Sequence, residues 1–187
     1  MDISTSIAGV ALVFETRPSL FSPKRIDAGT LAMLSVVEFA PNDKVLDLAC
    51  GYGAVGVFTA KLIEPTNVFL LDNDPVAVEC ASANAHLNGV GGVNVVCSNG
   101  FMDFKETGFT KILCNPPYHA DFALPKHFIH KGFNRLELGG TLWMVTKRDV
   151  WYRNKLQAIF GRVNVHPVDS YFVFEATKQS LNYASRG

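Results

Sequence analysis

Val45-Leu-Asp-Leu-Ala-Cys-Gly-Tyr-Gly-Ala-Val-Gly56 passes from a strand-like apolar run into a glycine turn and then into a stretch of helical period. Gly51, Gly53 and Gly56 satisfy G-x-G-x-x-G, in which residues without a Cβ let the chain turn tightly and let a ligand approach the backbone. Strand-to-helix turns also carry glycine purely for packing, so the triplet alone predicts only a nucleoside-containing cofactor at a sheet edge. Two carboxylates narrow the choice. Asp47, at the end of the strand, would repel a pyrophosphate seated on the following helix but suits the positively charged amino group of a methionine moiety. Asp72 ends the next strand nineteen positions after Gly53, where it can accept hydrogen bonds from both ribose hydroxyls. Asn73 follows at the adenine edge, and Asp74 before Pro75 reads as a helix N-cap.

Outward from this turn, apolar runs of strand length alternate with helical stretches, the pattern of consecutive βαβ units in a mainly parallel sheet. Strands are predicted at residues 45–48, 68–71, 93–97, 111–114, 141–145, 163–165 and 171–176, and helices at 27–39, 54–63, 75–88, 125–138 and 151–160. Pro75 suits a first helical turn, Asn88-Gly89 supplies a left-handed stop, and Gly139-Gly140 is expected to end the next helix in the same way. Too few residues separate the last two predicted strands for a parallel crossover, so a hairpin should make the last strand antiparallel. Residues 1–26 are read as a short strand and a loop, 16–24, that forms a flap.

The bulk numbers agree with a folded enzyme-sized domain. The 187 residues fit one α/β domain, 1–187, with residues 1–26 as strand and flap and 27–187 as core. Hydrophobic residues make up 48%, charged residues 18%, and formal charge is zero, which excludes a protein that coats nucleic acid through bulk positive charge. Cys50, Cys80, Cys97 and Cys114 lack zinc-ribbon or redox spacing, so no metal is expected and a reducing, cytoplasmic setting follows. The apolar run 7–14 is short and lacks the basic start of a signal peptide, and nothing is long enough to span a membrane.

Asn115-Pro-Pro-Tyr118, directly after the fourth predicted strand, supplies a chemistry. An exocyclic amine on a base, or a carboxamide nitrogen, is a poor nucleophile because its lone pair is delocalised. If the Asn115 side-chain oxygen and the Pro116 carbonyl each accept one of its N–H groups, the nitrogen is pulled toward tetrahedral geometry. Pro116 and Pro117 offer no competing N–H, and Pro116 biases Asn115 toward extended backbone. Tyr118 can stack on a flat substrate, and His119 can contact it or take up the leaving proton. His86, His127 and His130 have no metal-ligand spacing and read as a solvated helix face.

These residues resemble the class I S-adenosylmethionine-dependent methyltransferases, whose loop reads acidic-x-Gly-x-Gly-x-Gly; here Ala49 stands at the first glycine. The segment Phe21-Ser-Pro-Lys-Arg-Ile-Asp27-Ala-Gly29-Thr30, Asn115-Pro-Pro-Tyr-His119, Gly139-Gly-Thr-Leu-Trp143, Lys147-Arg148 and Tyr152 resemble, in order and spacing, the catalytic domain of the ribosomal RNA small-subunit guanine-N2 methyltransferases, a small-domain methyltransferase family. The resemblance implies a Rossmann-like three-layer sandwich with a mainly parallel seven-stranded sheet. It implies that Asp27, Gly29 and Thr30 join Asp47, Ala49, Gly51 and Gly53 around the methionine part of S-adenosylmethionine. Asp72 and Asn73 would hold the ribose and adenine edge, with Ser98, Asn99 and Gly100 beside the adenine. Phe21, Lys24, His119, Lys147 and Arg148 would meet the substrate, an RNA base, with guanine N2 of ribosomal RNA, free or in an assembling particle, as the implied target.

There are departures: Lys147 stands where the family more often has asparagine, Tyr118 where many members have phenylalanine, and the chain has no room for the second, degenerate domain common in the family. Lys147, Arg148, Arg153, Lys155 and Arg162 against Asp149 give a local charge of plus four for phosphates around a flipped-out base. Protein-glutamine and DNA-adenine methylation share the Asn-Pro-Pro-aromatic turn and stay as alternatives. Two others are an RNA-binding module without activity and an oxidoreductase using the literal glycine fingerprint.

Overall fold

The computed structural model describes residues 1–116 and 122–185. β1 (Asp2–Ile7) and β2 (Val10–Glu15) form an antiparallel hairpin, after which α1 (Ala28–Leu34) leads into β3 (Val45–Leu48), α2 (Ala54–Ala60), β4 (Val68–Asp72), α3 (Pro75–Leu87) and β5 (Asn94–Cys97). The second half runs β6 (Phe109–Cys114), α4 (Ala123–Arg135), β7 (Leu136–Thr146), α5 (Val150–Phe160), β8 (Val163–Val168) and β9 (Tyr171–Thr177). One seven-stranded sheet has the order β5-β4-β3-β6-β7-β9-β8. β3 to β7 pair in parallel, whereas β9 is antiparallel to both β7 and β8 and lies between them. The result is a Rossmann-like three-layer sandwich.

Alternation along each strand divides the core. Val45, Leu70, Leu113 and Val145 face α1, α2 and α3, while Leu46, Leu71, Ile112 and Met144 face α4 and α5. Burial on both faces explains why these strands read as continuous apolar runs. Each fully buried Leu or Phe contributes roughly 1.5–3 kcal/mol relative to exposure. Asp74 caps α3, accepting from Val76 N at 2.9 Å with Pro75 in the first turn, as its sequence predicts.

Three expectations need correction. The amino-terminal segment holds two strands, not one, and its hairpin packs on the α3 side of the core through Ile3, Ile7, Leu12 and Phe14. The first predicted helix stops at Leu34, where Ser35 closes it with a hydroxyl bond to the Ala32 carbonyl. Gly139-Gly140 does not end a helix: α4 stops at Arg135, and both glycines lie inside β7. A Cβ on Gly140 would stand 2.8 Å from the Phe109 carbonyl oxygen, so a close backbone crossing requires glycine there. Among the described residues no helix is long and apolar enough to cross a membrane.

Candidate functional site

β3, β4, β5 and β6 end at one edge of the sheet, and strand order reverses direction between β3 and β6, which opens a crevice beyond their carboxyl ends. A cavity of about 250 Å3 lies there. Of the residues singled out in the sequence, Phe21, Asp27, Thr30, Asp47, Ala49, Gly51, Asp72, Asn73, Ser98, Asn99, Gly100 and Asn115 line it. Gly29, Gly53, Lys24, Lys147 and Arg148 do not. Pro116 is buried at the end of β6, and Pro117, Tyr118 and His119 lie outside the described residues.

The glycine turn is organised by the two carboxylates. Gly53 is the N-cap of α2 and has no side chain with which to accept from the first helical N–H groups. Asp47 Oδ2 does so instead, accepting from Gly56 N at 2.8 Å. A carboxylate already seated on this helix end leaves no place for a pyrophosphate, which argues against dinucleotide binding. Burial, and secondarily the charge of Asp72, push the Asp47 carboxyl up to about 7, although the Gly56 N–H draws it down. Asp72 Oδ2 accepts from Gly51 N at 2.8 Å and its Oδ1 from Asp74 N at 3.0 Å, so one side chain holds two successive turns.

Gly51 and Gly56 serve different purposes. A Cβ on Gly51, at φ +55°, would meet nothing within 4 Å and would project into open space. A Cβ on Gly56 would stand 2.4 Å from Leu70 Cγ, so that glycine serves helix-on-strand packing. Ala49 occupies the left-handed region at φ 61°. Ser98 donates to the Gly100 carbonyl at 2.9 Å and thereby shapes its own loop.

Asn115 leaves β6 at the cavity edge. Its Nδ2 donates to Asp27 Oδ2 at 2.8 Å and to Thr30 Oγ1 at 3.0 Å. Asp27 Oδ2 also caps α1 through Thr30 N at 3.1 Å. The amide nitrogen is thus fully committed, whereas Asn115 Oδ1 is buried with no hydrogen-bond donor among the described residues. An orphaned buried acceptor costs about 1–3 kcal/mol and invites a partner from a ligand.

The description "Methyltransferase small domain" belongs to a family model that matches residues 11–175. The chain belongs to the methyltransferase small domain family. Ribosomal RNA large subunit methyltransferase G of Alteromonas mediterranea is 31% identical over 183 residues, covering 92% of this chain and 45% of that protein. Ribosomal RNA small subunit methyltransferase C of Colwellia psychrerythraea is 29% identical over 171 residues, covering 89% and 47%. The solved T. thermophilus 16S rRNA N2 G1207 methyltransferase RsmC, in complex with AdoMet and guanosine, superposes with a TM-score of 0.89 at 25% identity over 96% of this chain and 50% of that one. The chain spans about half the length of these relatives.

Within this small-domain methyltransferase fold, two site-building residues escaped the sequence reading. Tyr52 is buried against the cavity and donates toward the Ser22 and Arg25 carbonyls, each at 3.4 Å, joining the glycine turn to the flap. Burial and the negative charge of Asp27 push its hydroxyl up to about 12, so it stays a donor. Asn84, fully buried on α3, accepts from Glu15 N at 2.7 Å and donates to Glu15 O and Tyr52 O, each at 2.9 Å. A buried asparagine in a helical apolar run was the available signal.

The solvated reading of the helix histidines holds for His86 alone. His127 and His130 are half-buried, and His130 Nε2 is buried without a hydrogen-bond partner among the described residues. The basic cluster is also thinner than its composition implied, because Arg153 is paired with Asp149 at 2.9 Å. Burial pushes the Cys50 and Cys114 thiols well up, which excludes them as ready nucleophiles. Among the described residues no group of His, Cys, Asp and Glu can hold a metal ion.

Proposed function

We propose that residues 1–187 form one S-adenosylmethionine-dependent N-methyltransferase domain that acts in the cytoplasm on the exocyclic amine of an RNA base, with guanine N2 of ribosomal RNA as the target. The observation that carries this reading is the Asn115 side chain. Its amide nitrogen is held by Asp27 and Thr30, which leaves its buried Oδ1, without a donor among the described residues, as an acceptor at the cavity edge. Relatives named as ribosomal RNA methyltransferases, and a neighbour solved with AdoMet and guanosine, support the substrate class.

The residues fit the cofactor. Asp47 offers a buried carboxylate to an ammonium group, Asp72 retains free lone pairs for ribose hydroxyls, and the missing Cβ of Gly51 leaves space at the cavity wall. S-adenosylmethionine, when bound, supplies a methyl group activated by a sulfonium. Asn115 Oδ1 and the Pro116 carbonyl accept the two N–H groups of the amine and aim its lone pair across the cavity. The rate gain comes from orientation and fixed dipoles, without a strong base, because the nitrogen becomes acidic once it is alkylated. The stacking role of Tyr118 and the proton role of His119 rest on sequence.

Tritium transfer from S-adenosylmethionine to RNA of a strain lacking the gene tests the proposal, with free ribosomal RNA and assembling subunits compared. Label is expected in RNA and lost with Asn115→Ala, while S-adenosylhomocysteine still binds. Wild-type transfer by Asn115→Ala, or label in protein or DNA instead of RNA, would overturn it.

A further inference from the structure

Beyond the cavity, residues that leave β7 and enter α5 build a stack with Phe122 that is not part of the cavity lining. Phe122, at the start of α4, lies face to face with Trp151, their centroids 4.3 Å apart and their planes 24° from parallel. The Arg148 guanidinium carbon lies 5.2 Å over the Phe122 ring. Cation, phenyl and indole therefore form one contiguous cluster. The Arg148 backbone is fixed by its N–H to Thr146 Oγ1 at 3.1 Å, and both Arg148 and Phe122 are exposed.

Among the described residues the charge of this stack is uncommitted. Among the described residues no carboxylate pairs with Arg148 or with Lys147, whose ammonium sits 5.1 Å over Tyr171, and neighbouring Asp149 is taken by Arg153. Met144 pairs with Cys114, the residue before Asn115, and Arg148 follows four positions later. At about 3.3 Å per residue the stack lies within about 13 Å of Asn115 along the same sheet edge. Leu124, two residues after Phe122, lines the cavity.

We infer that Arg148, Phe122 and Trp151 seat an unpaired nucleotide adjacent to the target base, with its base extending the stack on the Arg148 guanidinium and its phosphate facing Lys147. This rests on the proposed RNA substrate. A contact to phosphate alone needs a point charge and no aromatic backing. A guanidinium kept flat by a ring presents a plane on which any base can stack without being read for sequence. A target pulled out of its helix leaves neighbours unstacked, and a platform beside the cavity compensates that loss.

Anisotropy of a short fluorescent RNA, unpaired or annealed to its complement, tests the inference on the full chain. Unpaired RNA is expected to bind more tightly than duplex. Arg148→Ala and Phe122→Ala should each weaken it about 5- to 100-fold, with the double variant no worse than the weaker single because the two act as one unit. Arg148→Lys should lose most of what Arg148→Ala loses while keeping the wild-type salt dependence, since charge persists but the plane is gone. Wild-type affinity in Arg148→Lys, or additive losses in the double variant, would overturn the platform.

Melting and S-adenosylhomocysteine affinity report folding in each variant. Where Phe122→Ala does not fold, Arg148→Lys decides alone. Methyl transfer is read separately: transfer with wild-type binding in every variant removes the platform only. Platform losses in a protein that transfers no methyl remove the enzyme reading only.

Discussion

Asn115 Nδ2 lies 2.8 Å from Asp27 Oδ2, a contact that joins positions 88 residues apart. It turns an amide that can flip into one with a fixed polarity, because the flipped amide would set its oxygen against a carboxylate. Asp27→Asn keeps the cap of α1 but replaces a charge-assisted bond by a neutral one, a difference of about 1 kcal/mol. Turnover is expected to fall roughly fivefold, more than S-adenosylhomocysteine affinity falls. Steady-state kcat set against calorimetric Kd checks this.

Asp47 carries a pH signature. Its carboxyl stands at about 7 in the folded chain, against the 3.8 of an ordinary aspartate. The unfolded chain therefore sheds this proton first, and stability drops as pH rises from about 4 to about 7, then levels off. Asp47→Asn is expected to be more stable than wild type at pH 8, by on the order of 4 kcal/mol, with the gap closing toward pH 4. The same variant should bind S-adenosylhomocysteine weakly, since the ammonium loses its partner. Melting curves at several pH values decide the first point and calorimetry the second.

Glycine substitutions should separate packing from binding. Gly56→Ala drives a methyl to 2.4 Å from Leu70 Cγ and is expected to lower stability by about 1–3 kcal/mol or prevent folding. Gly51→Ala meets no atom and should cost about 1–2 kcal/mol through its positive φ alone. Its cofactor affinity should fall further than its stability does, because Gly51 lines the cavity. Equal losses of affinity in both variants would count against this division.

Ala49 sits at φ 61°, where a Cβ is strained. Ala49→Gly relieves that strain at the expense of a more flexible unfolded chain. A gain of up to about 1 kcal/mol in urea unfolding is expected, with activity retained.

Much of the sheet was legible because its central strands are buried on both faces and read as unbroken apolar runs. The glycine turn and its two acids were legible because the strand ends fix where they point. The hairpin was harder to see: β1 reads Asp-Ile-Ser-Thr-Ser-Ile, with only Ile3 and Ile7 buried. Gly139-Gly140 carries the same local signal as a helix stop, and the Phe109 carbonyl, 31 residues before Gly140, shows why glycine is needed there. The partners of Asn115 could not be read locally at all. Sequence nominated Asp27 and Thr30 for the cofactor, and both line the cavity, but their hydrogen bonds to the Asn115 amide carry no local signal.

Asn84 ties the main chain at Glu15 to the main chain at Tyr52 with one carboxamide. The amino-terminal ribbon therefore acts as a splint for the nucleoside loop, although none of its strand residues borders the cavity. Damage far from the reacting atoms, such as trimming the ribbon or shortening this amide, would be felt first as a looser grip on the methyl donor.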